Sequence, residues 1–253
     1  MSRSTRWFGV LAPVVAAGLV LFAAGAASAA PEGGKYEVQA VSNGGTVTGT
    51  VKWAGPPLAK KELDVTKDHE TCGQKLPNEE LQVGGGGALK NAVVSIDGIK
   101  AGEAFKADAP VVFDQHKCLF LSRVSVVPVG ATLEVKNSDN ILHNTHFNAV
   151  KNKGENFAIP AGKTAQYPIK AAETIKVTCD IHPWMSSYVI ARENPYFAVT
   201  DDNGSFTIKN VPPGKYKLSV WQETVGKGGA AAVDIEIKAG AESKQDFEVK
   251  PKG

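Results

Sequence analysis

Cys179, His182 and Met185 stand at Cys-x2-His-x2-Met spacing in Cys179-Asp180-Ile181-His182-Pro183-Trp184-Met185. A thiol, an imidazole and a thioether so placed lie on one short loop, and Pro183 stiffens its bend, so all three can turn toward a single ion. Two imidazoles and a thiolate with a weak axial thioether form the donor set that selects copper for electron transfer. The second imidazole must come from elsewhere. His143, in Asn140-Ile141-Leu142-His143-Asn144-Thr145-His146-Phe147, follows a strand with Leu133 and Val135 facing inward and can sit beside the loop from a neighbouring strand. The competing reading packs Cys179 and Met185 as ordinary apolar side chains and leaves His182 on the surface. Against it, the chain has 2 methionines, one of them the initiator, and the internal one falls at the axial position.

The remaining histidines read differently. His146 comes three residues after His143, and in a strand those side chains point to opposite faces. It is expected to be a supporting or surface group. His69 and His116 lie in polar surroundings near Cys72 and Cys118 and read as surface residues, with a weak second metal site there as the alternative.

Strands must position these groups, because after residue 44 apolar alternation is repeatedly cut by Gly, Pro, Asn and Asp. Strands are expected at Thr46 to Trp53, Leu89 to Ile96, Val111 to Phe113, Val124 to Val127, Leu133 to Lys136, Ile175 to Cys179 and Tyr188 to Ala191. A closing set follows at Phe197 to Thr200, Phe206 to Ile208, Tyr216 to Trp221, Ala230 to Lys238 and Gln245 to Lys250. In the strand ending at Cys179, residues 175, 177 and 179 share the inward face. Asp202-Asn203-Gly204 reads as a hairpin turn and Pro213-Gly214 as a type II turn. The polar stretch from Lys60 to Glu80 is the one place for a short helix. Short strands at this spacing indicate β-sandwiches.

Arg3 and Arg6 precede an uncharged run from Trp7 to Pro31 that contains Ala27-Ser28-Ala29. This is the pattern of a secretory signal peptide over residues 1–29. An uncleaved anchor is the alternative, since the run is long enough to cross a bilayer. The whole chain carries 28 Lys+Arg against 26 Asp+Glu, so losing Arg3 and Arg6 leaves it neutral. Neutrality argues against nucleic-acid binding, which needs a basic excess to displace counterions, and no stable membrane insertion is expected once the leader is gone. Export places the 3 cysteines in an oxidising compartment, where two normally pair. Cys72 and Cys118 are the expected disulfide, and Cys179 is reserved for chemistry.

Gly130-Ala131-Thr132-Leu133-Glu134-Val135-Lys136-Asn137, His143-Asn144-Thr145-His146-Phe147 and the Cys179 to Met185 loop together resemble the cupredoxins, or type 1 blue copper proteins, and the short loop is most similar to that of amicyanin. The resemblance covers about residues 109 to 195. It implies a Greek-key β-sandwich holding one type 1 copper ion, with His143, Cys179 and His182 as equatorial ligands and Met185 as the axial one. It further implies that Asn144 hydrogen-bonds to hold the ligand loop, and that His182, flanked by Pro183 and Trp184, is the exposed edge through which electrons pass.

Val199 to Leu218, with its Asp201-Asp202-Asn203-Gly204 and Pro212-Pro213-Gly214 turns, resembles carboxypeptidase regulatory-like domains, a transthyretin-type β-sandwich. Thr46 to Val51 and Lys90 to Val94 resemble the first strands of that unit. The chain is therefore expected to be all-β, with a cupredoxin-like sandwich over residues 109–195 inserted into a second small sandwich made of 45–108 and 196–253, after a flexible linker over 30–44.

The leading expectation is an exported carrier of single electrons, periplasmic or extracellular, between a donor and an acceptor redox protein. The alternatives are a copper storage or delivery protein and a metal-free cell-surface or carbohydrate-binding module. Trp53 and Trp221 could stack on a sugar, although their apolar alternation reads as core. An enzyme is not expected. Multicopper oxidases need several His-x-His pairs, which the chain lacks, and copper nitrite reductases need further histidines for a second copper, for which only His69, His116 and His146 remain.

Overall fold

Strand Gly45–Trp53 buries Gly45, Val47, Gly49, Val51 and Trp53 and turns the residues between them away, the period-two pattern of a strand with one face on a core. It pairs antiparallel with Ser205–Val211 and parallel with Glu242–Lys244 and Phe247–Val249. A second sheet runs in the order Phe197–Val199, Val93–Asp97, Gly214–Trp221, Ala231–Ile237. Val47, Val51, Leu89, Val94, Ile96, Phe206, Leu218 and Val220 share the core of these two sheets.

Residues 111–192 build another sandwich around a separate core. One sheet orders Thr164–Pro168, Thr132–Asn137, Val111–His116 and Leu119–Phe120. The other orders Glu155–Ile159, His143–Asn148, Glu173–Thr178, Ser186–Arg192 and Val124–Pro128. Phe113, Leu133, Val135, Phe147, Tyr167, Ile175, Val177 and Val189 fill the space between them. Phe147 stacks on Tyr167 with ring centroids 3.8 Å apart. The buried phenol remains hydrogen-bonded, since it donates to the Lys153 carbonyl at 2.7 Å. The protein is thus all-β, and its one α-helix among the described residues is the single turn His69–Cys72.

The computed structural model describes Met1 and residues 36–57, 61–106, 111–225 and 231–251. The expected signal peptide and its Ala27-Ser28-Ala29 exit lie outside the described residues. Among the described residues no helix is long and apolar enough to cross a membrane. The described part of the expected linker is anchored rather than free. Glu37–Val38 pairs in parallel with Ala101–Gly102, the Tyr36 hydroxyl donates to the Glu103 carbonyl at 2.7 Å, and the Val41 N–H donates to the Glu103 carboxylate at 2.8 Å.

Two turns differ from expectation. Gly204 has φ 68°, but the strands it joins, Phe197–Val199 and Ser205–Val211, pair in different sheets, so the turn crosses the sandwich instead of closing a hairpin. The Asp201 carboxylate holds it by accepting from the N–H groups of Asn203 and Ser205 at 2.9 and 2.8 Å. Gly214 is not among the positive-φ glycines, which a type II turn requires of it. A side chain there would meet the Tyr216 ring, which lies over the glycine.

The largest departure is the stretch 61–80, placed by the sequence reading in the first sandwich. Glu62–Asp64 and Lys75–Pro77 form a small antiparallel ladder flanking His69–Cys72. Val65 and Cys72 are buried in the core of the second sandwich, with Leu63 and Leu76 packed against it. The Cys72–Cys118 disulfide, with Cα atoms 5.2 Å apart, ties the excursion down. The pairing follows from elimination among three thiols, whereas the packing of the excursion depends on apolar residues too sparse to register as a pattern.

Candidate metal centre

Strand Glu173–Thr178 keeps Ile175 and Val177 inward and delivers Cys179 from the same face as it ends. Its neighbour His143–Asn148 runs antiparallel, with Phe147 opposite Val177 and His146 opposite Thr178. That register carries His143 past the end of the Cys179 strand, toward the loop. The loop closes on itself, since the Met185 N–H donates to the His182 carbonyl at 2.9 Å and the Cys179 N–H to the Met185 carbonyl at 3.2 Å.

These elements gather the side chains of His143, Cys179 and His182, whose donor atoms all lie within 4.8 Å of one another. The two Nδ1 atoms are 2.9 Å apart, and Cys179 Sγ is 3.8 Å from His182 Nδ1. His143, His182 and Met185 have no exposed surface and Cys179 has 1%. Met185 belongs to the same buried cluster as Cys179.

Each imidazole hands its other nitrogen to a carboxylate. His143 Nε2 lies 2.8 Å from Asp139 Oδ2 and His182 Nε2 lies 2.9 Å from Asp68 Oδ2. An ionised carboxylate only accepts, so each Nε2 carries a proton, and in neutral rings both Nδ1 atoms then present lone pairs. Two lone pairs facing at 2.9 Å repel unless a cation or a proton lies between them. Burial pushes the His143 imidazole below its ordinary value despite the pull of Asp139, which favours the neutral ring a metal needs. The chemistry of this donor set, two imidazoles and a buried free thiol beside a buried thioether, fits copper.

Asp139 is itself held. Burial opposes its ionisation, but the Cys118 N–H, His143 and the Lys117 N–H outweigh burial and keep its carboxyl below the usual carboxylate range. Lys117 and Cys118 donate at 2.6 and 2.8 Å from a two-residue hairpin turn in which both have positive φ, 52° and 56°. Left-handed conformation costs a non-glycine residue about 1–2 kcal/mol, and Asp139 and the disulfide hold the turn in it.

Asn144 fastens the loop to the His143 strand. Its Oδ1 accepts from the N–H groups of Asp180 and Ile181 at 2.8 and 3.0 Å and lies 3.3 Å from Cys179 Sγ. Its Nδ2 donates to Asn156 Oδ1 at 2.6 Å, and Asn156 donates in turn to Asp180 Oδ2 at 2.7 Å. The His182 N–H adds a donor 3.4 Å from the sulfur.

The expected exposed edge is not exposed. His182 is fully buried and Trp184 is 8% exposed, leaving Pro183 as the surface residue of the three. The reason is the 61–80 excursion. It lays Asp68 against His182 Nε2, and the Trp184 indole donates to the Cys118 carbonyl at 3.2 Å beside the disulfide. His146 lies outside the donor cluster, with Nδ1 3.2 Å from Asp180 Oδ1. His69 is exposed, its Nδ1 3.1 Å from the Gly73 carbonyl, and His116 is half exposed beside Asp139. Trp53 donates to the Pro56 carbonyl from a buried position, and the half-buried Trp221 packs edge-on to Tyr188.

The sequence reading misses Asp68 and Asp139. Asp139 stands four residues before His143, a faint signal in a stretch already rich in turn-forming Asn and Ser. Asp68 lies 114 residues from His182, and nothing local marks it.

Comparison with known proteins adds a likeness to both parts. The family model for domain II of polysaccharide lyase family 4 matches residues 184–245, in place of the carboxypeptidase regulatory-like unit that the sequence resembles. No curated protein matches the chain. Among solved structures, the chain is similar to a Cu-containing nitrite reductase from Thermus scotoductus SA-01, at 20% identity and TM-score 0.32, covering 34% of this chain and 23% of that one. It is also similar to the reduced Cu(I) form of an amicyanin mutant, at 22% identity and TM-score 0.31, covering 39% of this chain and 98% of that one. A purple cupredoxin from Nitrosopumilus maritimus is similar at 21% identity and TM-score 0.29, covering 34% and 100%. The chain thus spans less than a quarter of the nitrite reductase.

Proposed function

We propose that the protein holds one copper ion of the type 1 kind and passes single electrons between a donor and an acceptor redox protein outside the cytoplasm. The observation that carries this reading is the pair of Nδ1 atoms facing at 2.9 Å beside the Cys179 thiol, each backed by a carboxylate at its far nitrogen. His143, Cys179 and His182 would hold the ion, with Met185 as the weak fourth donor. Copper bound there would supply a one-electron couple between its cuprous and cupric states. The chain's part is to keep its donors still: Asn144 clamps the loop, Asp139 and Asp68 fix the rings, and the surrounding core excludes water. With all four donors assigned, no position is left for a substrate, and no turnover of a small molecule is expected. A formed disulfide supports action in an oxidising compartment.

Absorption and EPR spectra of the protein loaded with one equivalent of copper test this. An intense visible thiolate-to-copper band, reversible reduction, and loss of the band in Cys179→Ser are expected. A copper-loaded protein without the band or without reversible reduction would overturn the reading. The burial of His182 favours one second reading, in which the same residues store copper for delivery. Slow electron self-exchange together with ready transfer of copper to an acceptor would select it.

A further inference from the structure

We propose that Asp68 is a positioning residue of the metal centre, and that the excursion 61–80 is a cap through which it locks the His182 ring and closes the imidazole edge to solvent and partners. The inference rests on the copper reading for its consequences, but it concerns a segment which that reading does not use.

The carboxylate lies against the buried His182 ring while itself meeting solvent. The His182 side chain has no exposed surface, while the Asp68 side chain touching its Nε2 at 2.9 Å is 43% exposed. Asp68 occupies the N-cap position of the turn His69–Cys72, where an aspartate ordinarily accepts a bond from a helix N–H. It makes no such bond, and its backbone sits at φ 53°, ψ 39°, a left-handed conformation that Asp and Asn tolerate best among side-chain-bearing residues. Its side chain serves His182 instead of the local backbone.

The cap is also held at several points. Cys72 is bonded to Cys118, Thr71 Oγ1 donates to Asn140 Oδ1 at 2.9 Å, and Val65 is buried in the core. The same disulfide reaches the other ring, because the Cys118 N–H donates to Asp139, which holds His143. One covalent bridge therefore braces both carboxylate supports. A carboxylate on the remote nitrogen fixes the tautomer and makes the ring a stronger donor, which stabilises the higher-charged cupric ion more than the cuprous one.

Two variants test the proposal. Asp68→Asn keeps the shape and tolerates the left-handed backbone while removing the charge; Asp68→Gly removes the side chain and suits that backbone. In the metal-free protein, 15N NMR of the His182 ring is expected to show a single Nε2–H tautomer in the wild type and a mixture in Asp68→Gly. In the copper-loaded protein, Asp68→Gly should release copper to a chelator about 10- to 100-fold faster, the loss typical of removing an outer partner of a ligand histidine. A tenfold selective weakening of cupric binding raises the midpoint potential by about 59 mV, and Asp68→Asn should fall between Asp68→Gly and the wild type. Unchanged tautomer, release rate and potential in Asp68→Gly would overturn the proposal while leaving the copper reading intact. A wild-type protein that takes up no copper would sink the copper reading, and the metal-free tautomer would still decide the role of Asp68.

Discussion

Arg123 and Glu223 meet in a two-armed ion pair that bolts the two sandwiches together. Arg123 Nε donates to Glu223 Oε1 at 2.6 Å, Nη2 donates to Oε2, and Nη1 donates to the Ser186 carbonyl at 2.9 Å. The two side chains are only 9% and 8% exposed, and Tyr188 and Trp221 pack edge-on with ring centroids 5.0 Å apart. The ligand loop leads directly into strand Ser186–Arg192, so this junction braces one end of the site.

Breaking that pair should be costly in one direction only. Burial raises the Glu223 carboxyl, and the Arg123 guanidinium opposes the rise, so each group depends on the other. Glu223→Ala leaves a buried guanidinium unpaired and should lower stability by about 3–5 kcal/mol, whereas Arg123→Met with Glu223→Leu should recover most of the loss. Urea unfolding of the two variants checks this; equal losses in both would contradict it.

Asn144→Ala should loosen the ligand loop without dismantling the sandwich. It strips the acceptor from the Asp180 and Ile181 N–H groups, and each such hydrogen bond is worth about 0.5–1.5 kcal/mol. The expected result is a lower urea midpoint, together with a shifted visible spectrum in the copper-loaded protein.

Glu173 sets a pH dependence away from the metal centre. Burial works against its charge, but the N–H groups of Asn152, Val150 and Lys151 and the Asn152 amide outweigh it, and its carboxyl is depressed. Its oxygens accept those bonds at 2.6 to 3.0 Å. A depressed carboxyl contributes stability that is present above its unfolded value, about 4.3, and is lost as pH falls through the lower folded value. Glu173→Gln should therefore be less stable than the wild type at neutral pH, by about 1.5 kcal/mol for hydrogen bonds to a charged group. The gap should close in acid; a gap that persists there would show that charge is not the cause.

Replacing both Cys72 and Cys118 by alanine opens a loop with a sequence separation of 46. Loop-closure entropy for that length is worth about 4 kcal/mol. Denaturant unfolding with and without a thiol reductant should show the wild type falling to the level of the variant when reduced.

The strand pattern was readable where one face meets a core, as along residues 45–53, 173–178 and 214–221. The alternation fails at His143–Asn148, whose buried His143, Asn144 and Thr145 break it because the site itself needs polar groups inside, so that strand was placed by its neighbours and not by its pattern. Glu155–Ile159 and Thr164–Pro168 escaped because each is short and fully buries only one side chain, Ile159 and Tyr167, too few to show a period.

From its amino-acid order alone, the chain determined the local chemistry: a thiol, an imidazole and a thioether on one stiff loop, alternating strands to carry it, and a pair of cysteines free to bond. Only the tertiary structure decided which nitrogen of each histidine faces inward and that His182 is covered instead of open. Those outcomes depend on Asp139 and Asp68, and the latter reaches across 114 residues. Contacts of that span are set by how two sheets and a stapled excursion pack, and packing leaves no periodic trace in the residues it brings together.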